Sequence, residues 1–189
     1  QDKVAIVTGA SQGIGAATAM RLAEEGAAVV LAARREAELQ AQVDAIEAAG
    51  GRALACVTDI SDEDSVSALV KTTVAKFGRV DIVVNNAVLM VPGMLANHDS
   101  GAWRKNFTVS LDGAMYLMRE AFAELKKNRG AVVNVASVCG LLGSVGTAGY
   151  SAAKAGMLAL TRNAAIEWGK QGVRVNSVIP GVFLTPPTE

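Results

Sequence analysis

A chain of 189 residues with 51% apolar side chains is long enough for one domain with a sizeable core, and too apolar for disorder. Lys plus Arg and Asp plus Glu balance at 18 each, leaving no basic excess to recognise nucleic acid or an anionic membrane surface. No apolar run reaches membrane-spanning length, no signal peptide is visible, and Cys56 and Cys139 lack metal-ligand spacing, so a reduced, cytoplasmic setting without a metal is expected.

Taken in order, the chain alternates apolar runs with helical stretches. Lys3 to Thr8 (K-V-A-I-V-T) predicts a buried strand and Ala16 to Glu25 a helix. Between them lie Gly9, Gly13 and Gly15, spaced G-x-x-x-G-x-G. Strand, glycine turn and helix make the context in which a backbone approaches a pyrophosphate and a helix N-terminus offers it free N–H groups. Ala28 to Ala32 predicts a second strand, followed by Ala33, Arg34 and Arg35, where an NAD-binding chain would carry an acid for the ribose 2′-hydroxyl. A guanidinium there grips a 2′-phosphate through paired hydrogen bonds, so NADP is expected over NAD. Arg34 leads because it directly follows the acid's position; the plain alternative is that both arginines are the solvated start of the next helix.

Glu36 to Ala49 predicts a helix closed by Gly50 and Gly51, Arg52 to Val57 a third strand, and Ser61 the N-cap of a helix ending near Phe77. Asp81 to Asn85 predicts a fourth strand, and Val88 to Met94 an apolar loop. His98, the single histidine, reads as a solvated loop residue without chemistry. Trp103 to Lys127 predicts one long helix, and Ala131 to Ala136 a fifth strand that ends at Ser137. Tyr150 and Lys154, four residues apart, share one helix face. An ammonium group beside a phenol favours the phenolate and lowers a pKa that is ordinarily about 10, which makes Tyr150 a candidate general acid/base. Cys139, without a supporting pair, reads as a small packed side chain. The helix carrying Tyr150 runs to Trp168 and is apolar on several faces, which requires burial on more than one side: within the subunit, or in a homodimer or homotetramer. Val173 to Ile179 predicts a sixth strand.

T-G-A-S-Q-G-I-G (Thr8 to Gly15), N-N-A (Asn85 to Ala87), and Ser137 thirteen residues before the Y-x-x-x-K of Tyr150 and Lys154 together resemble the short-chain dehydrogenase/reductase family. The resemblance runs from Lys3 to Thr185. It implies that Gly9, Ser11, Gly13, Ile14, Gly15, Arg34, Arg35, Asp59 and Ile60 bind the adenosine and pyrophosphate half of the cofactor. It also implies that Asn86, Ala87, Tyr150, Lys154, Pro180, Gly181, Val182 and Thr185 bind the nicotinamide half. By the same resemblance Ser137 orients the substrate oxygen and Tyr150 moves its proton, while Lys154 tunes the phenol and holds ribose hydroxyls. Two residues depart from the pattern. Val88 stands where the family usually has glycine, and Ser110 stands where it has an asparagine holding a water relay, so a diminished relay is expected at Ser110. Asn106 lies one turn earlier, displaced by about 6 Å along the axis, and is not a substitute. The chain stops at Glu189, before the substrate-covering segment and seventh strand that family members carry, and both ends are expected to be incomplete.

The expected fold is a single α/β domain over residues 1–189: a Rossmann-like, doubly wound parallel sheet in three α/β/α layers. The expected function is an NADP-dependent oxidoreductase interconverting a ketone and a secondary alcohol, with hydride passing between nicotinamide and the carbonyl carbon. The alternatives are an NAD-dependent dehydrogenase of the same fold, or a nucleotide-binding regulatory protein with little catalysis. The small-molecule substrate is expected to be partly apolar, from Val88, Leu89, Met90, Leu141, Leu142 and Val145.

Overall fold

A strand flanked on both sides by other strands and covered on both faces reads as an unbroken apolar run, and Val4–Thr8 (β1) is buried at every residue for that reason. The computed structural model describes residues 2–182. Six parallel strands stand in the order β3-β2-β1-β4-β5-β6. The others are Ala28–Ala33 (β2), Arg52–Val57 (β3), Ile82–Asn85 (β4), Ala131–Val135 (β5) and Arg174–Val178 (β6). In register, β1 places Val4 beside Ala28 of β2 and Ala5 beside Ile82 of β4. The order reverses between β1 and β4, which opens a crevice beyond their carboxyl ends.

Alternate strand residues feed two cores, as the period of two requires. Ile6, Val30 and Val83 pack with Leu69 of Glu63–Phe77 (α3), Leu117 of Gly113–Asn128 (α5) and Ala164 of Ala148–Gly169 (α6). Val7, Leu31 and Val84 pack on the other face with Ala19 of Gly13–Glu24 (α1) and Leu39 of Glu36–Ala48 (α2). These are the three layers of the expected doubly wound domain. At the amino end of the sheet, the carboxylate of Asp81 accepts from the Val4 amide at 2.9 Å, Lys3 Nζ at 3.0 Å and Arg79 Nε at 2.8 Å, pinning β1 to β4.

Two helix expectations are corrected. Asp62, not Ser61, caps α3: its side chain accepts from the Asp64 amide, while Ser61 gives both its N–H and its hydroxyl proton to Asp59. The helix expected over Trp103 to Lys127 begins earlier and is interrupted. Ser100–Phe107 (α4) passes through a π turn at Thr108–Asp112 before α5 begins at Gly113. Such a turn takes in an extra residue and re-aims the side chains around it, and Ser110 sits within it. A Cβ at Gly113 would lie 2.6 Å from the Ile60 carbonyl oxygen, so only glycine lets α5 pass this close to the turn after β3.

Candidate active site

The expected groups converge at the carboxyl end of the sheet. Gly9 turns out of β1 with φ +64°, and Gly13 opens α1 with φ +58°. A Cβ on Gly15 would lie 2.3 Å from the Gly9 oxygen, and one on Gly9 would lie 2.9 Å from Ala87 Cα. The turn is therefore bare backbone at its glycines, with no acid in the first turn of α1 and no side chain capping its N-terminus. A pyrophosphate fits this cradle, because the unsatisfied N–H groups and the helix dipole both favour negative charge.

Thr8 and Asn86 weld the turn to the end of β4. The Thr8 hydroxyl accepts from the Asn86 and Ala87 amides at 3.0 Å each, and Asn86 Nδ2 donates to the Thr8 and Gly9 oxygens at 2.9 and 3.3 Å. The Asn86 side chain is thus spent on holding the turn. Asn85 donates to Asn134 at 2.8 Å, and Asn134 donates to Thr161 at 2.9 Å, a buried polar chain from β4 through β5 to α6. Arg35, rather than Arg34, reaches back to the glycine turn. It donates to Ser11 Oγ at 3.1 Å and to Gln12, and pairs with Glu38 at 2.9 Å. Arg34 is exposed and lies near Asp59, whose carboxyl is held below its usual value chiefly by the Ser61 hydroxyl and also by this arginine. Ile60 is buried under Gly113.

Ser137 ends β5 in extended backbone and its Oγ accepts from the Cys139 amide at 3.2 Å, which caps the short turn Val138–Gly140. A Cβ at Gly140 would lie 2.9 Å from the Lys154 carbonyl carbon, so this turn rests directly on the α6 backbone. Tyr150 is half-buried beside Ser137. Burial pushes the phenol above its usual value, the Ser137 hydroxyl pulls the other way, and Cys139 adds to the rise. The lowered phenol pKa expected from Lys154 is therefore corrected. Lys154 is itself 1% exposed and gives its Nζ proton to the Val135 oxygen at 2.6 Å. Its Nζ lies 5.8 Å from the Tyr150 ring centroid, and burial brings its own pKa down to about 8.

Ser110 and Asn106, both fully buried, face the segment after β4. Ser110 Oγ donates to the Leu89 oxygen at 3.1 Å and accepts from the Leu89 amide at 3.3 Å. Asn106 makes the same pair of bonds to Val91, at 3.1 and 3.0 Å. The expected relay residue is thus bonded to a loop backbone, and Asn106, dismissed on sequence, has a parallel role. No spacing rule could find it, because its partner is set by tertiary contact. His98 packs edge-on to Trp103 and against Gly93, inside the loop rather than on open surface. Val88 and Val145 are exposed, and the Pro180 oxygen accepts from the Val138 amide at 3.0 Å. Gly181 and Val182 are exposed, and Thr185 lies outside the described residues. A groove of about 600 Å³ beside β6, lined by Arg129 and Arg174, contains none of this cluster.

A family model described as short chain dehydrogenase matches residues 3–189. The chain is 44% identical over 187 residues to the cis-4-hydroxycyclohexanecarboxylate dehydrogenase of Sinomonas cyclohexanicum, covering 98% of this chain and 75% of that protein. It is 40% identical over 190 residues to a 3-oxoacyl-[acyl-carrier-protein] reductase of Synechocystis, covering 99% of this chain and 76% of the relative. A solved actinorhodin polyketide ketoreductase with NADPH superposes with a TM-score of 0.95 at 34% identity, covering 98% of this chain and 72% of that one.

Proposed function

The chain belongs to the short-chain dehydrogenase/reductase family and is an oxidoreductase of alcohol and carbonyl groups; from that premise we propose that it is an NADP-dependent enzyme interconverting ketones and secondary alcohols, with Tyr150 as general acid/base. The observation that carries the reading is the grouping of Ser137, Tyr150 and buried Lys154 beside a turn where Gly9 and Gly15 leave no room for a Cβ. The bound nicotinamide would supply or take up the hydride. Gly9, Gly13 and Gly15 would hold the pyrophosphate by backbone, with Ser11, Ile14, Asp59, Ile60 and Ala87 around it. Lys154 would hold ribose hydroxyls. Ser137 would donate to the substrate oxygen and align it with the Tyr150 hydroxyl. A phenol held above its usual pKa stays protonated near neutral pH, the form that gives a proton to a reduced carbonyl. Pro180, Gly181, Val182 and Thr185 complete the nicotinamide end of the proposal, and Ser110 serves as a positioning group. Tyr150→Phe is expected to lower NADPH-dependent ketone reduction by about 10²–10⁴-fold, the usual contribution of a general acid, with NADPH affinity unchanged by fluorescence titration. Undiminished turnover rejects the role.

The preference for NADP is supported by Arg35 on the glycine turn, Arg34 beside it, and the absence of an acid at Ala33. Arg35→Ala and Arg34→Ala are each expected to weaken NADPH at least about tenfold while leaving NADH nearly untouched, since a charge-assisted bond to phosphate is lost. Equal losses for both cofactors would favour NAD. NADPH binding without turnover of any ketone would favour the regulatory alternative.

A homodimer or homotetramer is part of the proposal, supported by Ile166, which is 77% exposed on α6. Light scattering that returns a monomer rejects it. A cytoplasmic setting, supported by the unpaired Cys56 and Cys139, completes the reading. Among the described residues no helix is long and apolar enough to cross a membrane.

A further inference from the structure

In extended backbone the N–H and C=O of alternate residues point to one side. Leu89 and Val91 are such a pair, and both point at α4 and the π turn. Ser110 satisfies both polar groups of Leu89, and Asn106, one turn away, satisfies both polar groups of Val91. Val88 and Met90, which alternate with them, are 52% and 53% exposed. Asn106 also touches the helix that carries Tyr150: a Cβ on Gly149 would lie 2.8 Å from Asn106 Nδ2. The segment itself runs from Ala87, against the glycine turn, to Gly93, whose amide donates to the Gly146 oxygen at 2.9 Å beside Thr147. Neither Asn86–Asn97 nor Ala131–Ala153 contains an acidic or basic side chain.

We infer that Asn106 and Ser110 form a two-rung clasp that fixes residues 88–91 as an apolar wall of the substrate site, and that Asn106 is a positioning residue for ketones with an apolar body. The inference rests on the oxidoreductase reading above. The clasp uses every backbone polar group on the inner side of the segment, so the outer side chains are held at one distance from the Tyr150 helix. A wall without charge selects by contact and desolvation, and favours an alkyl ring or chain over a charged group.

The test compares cyclohexanone with alkyl-substituted cyclohexanones under NADPH. For Asn106→Ala, the KM of the alkyl-substituted ketones is expected to rise about tenfold, with kcat, the KM of cyclohexanone and the Kd of NADPH within about twofold. A merely structural role lowers the active fraction and leaves the ratio of KM values unmoved. Should Asn106→Ala fail to fold, Met90→Ser at the exposed tip is expected to raise the same KM at an unchanged unfolding temperature. A KM ratio that stays at the wild-type value in the folded variant overturns the clasp. No NADPH oxidation by the wild type with any ketone rejects the oxidoreductase reading, and this inference with it.

Discussion

Lys154 carries its ammonium into the interior, where one carbonyl oxygen is its hydrogen-bond partner among the described residues. Burial lowers its pKa from the usual 10.5 to about 8. Between those values the unfolded chain holds a proton that the native chain has released, so the contribution of Lys154 to stability rises with pH across that interval and is flat on either side. Below about pH 8 both states are protonated and the native state carries the full penalty of the buried charge, on the order of 3 kcal/mol. Urea unfolding of Lys154→Met is expected to lack this rise, and ketone reduction by the wild type is expected to decline above about pH 8 as the ammonium is lost. A wild-type stability profile parallel to that of the variant would contradict this. The Tyr-to-Lys spacing that brings these groups together is plain in the sequence. The sign of the phenol's shift is not, because it sets burial against the Ser137 hydroxyl, and only coordinates show that the ammonium bonds to β5.

At the scale of elements, the glycine turn is the least tolerant piece. With 2.3 Å from a Gly15 Cβ to the Gly9 oxygen, Gly15→Ala must push α1 away from β1. The expected loss is about 1–3 kcal/mol of stability, together with NADPH binding, measured by thermal unfolding and fluorescence titration. Retained affinity would mean that the cradle is not the binding site. The turn was legible because strand, glycines and helix are contiguous in sequence. The π turn at Thr108–Asp112 was not, since one extra residue leaves the apolar pattern on either side intact. Asn106 stayed hidden for a related reason: its two bonds to Val91 cross a gap of fifteen residues that no local periodicity reports.

The whole molecule divides its sheet at β1 and β4, and the groups of the proposed reaction come from both halves. Alternating apolar runs and helices fixed this architecture in advance, whereas assembly rests on surface composition. Ile166 at 77% exposure is the test: Ile166→Asp is expected to shift a dimer or tetramer to smaller species in light scattering while the monomer fold persists. An unchanged mass would place the subunit contact elsewhere. Finally, the bond from the Gly93 amide to the Gly146 oxygen couples the two loops that border the cleft. The two loops part from one another only by breaking it. The hydrogen-exchange rate of that single amide therefore reports how often the two loops separate.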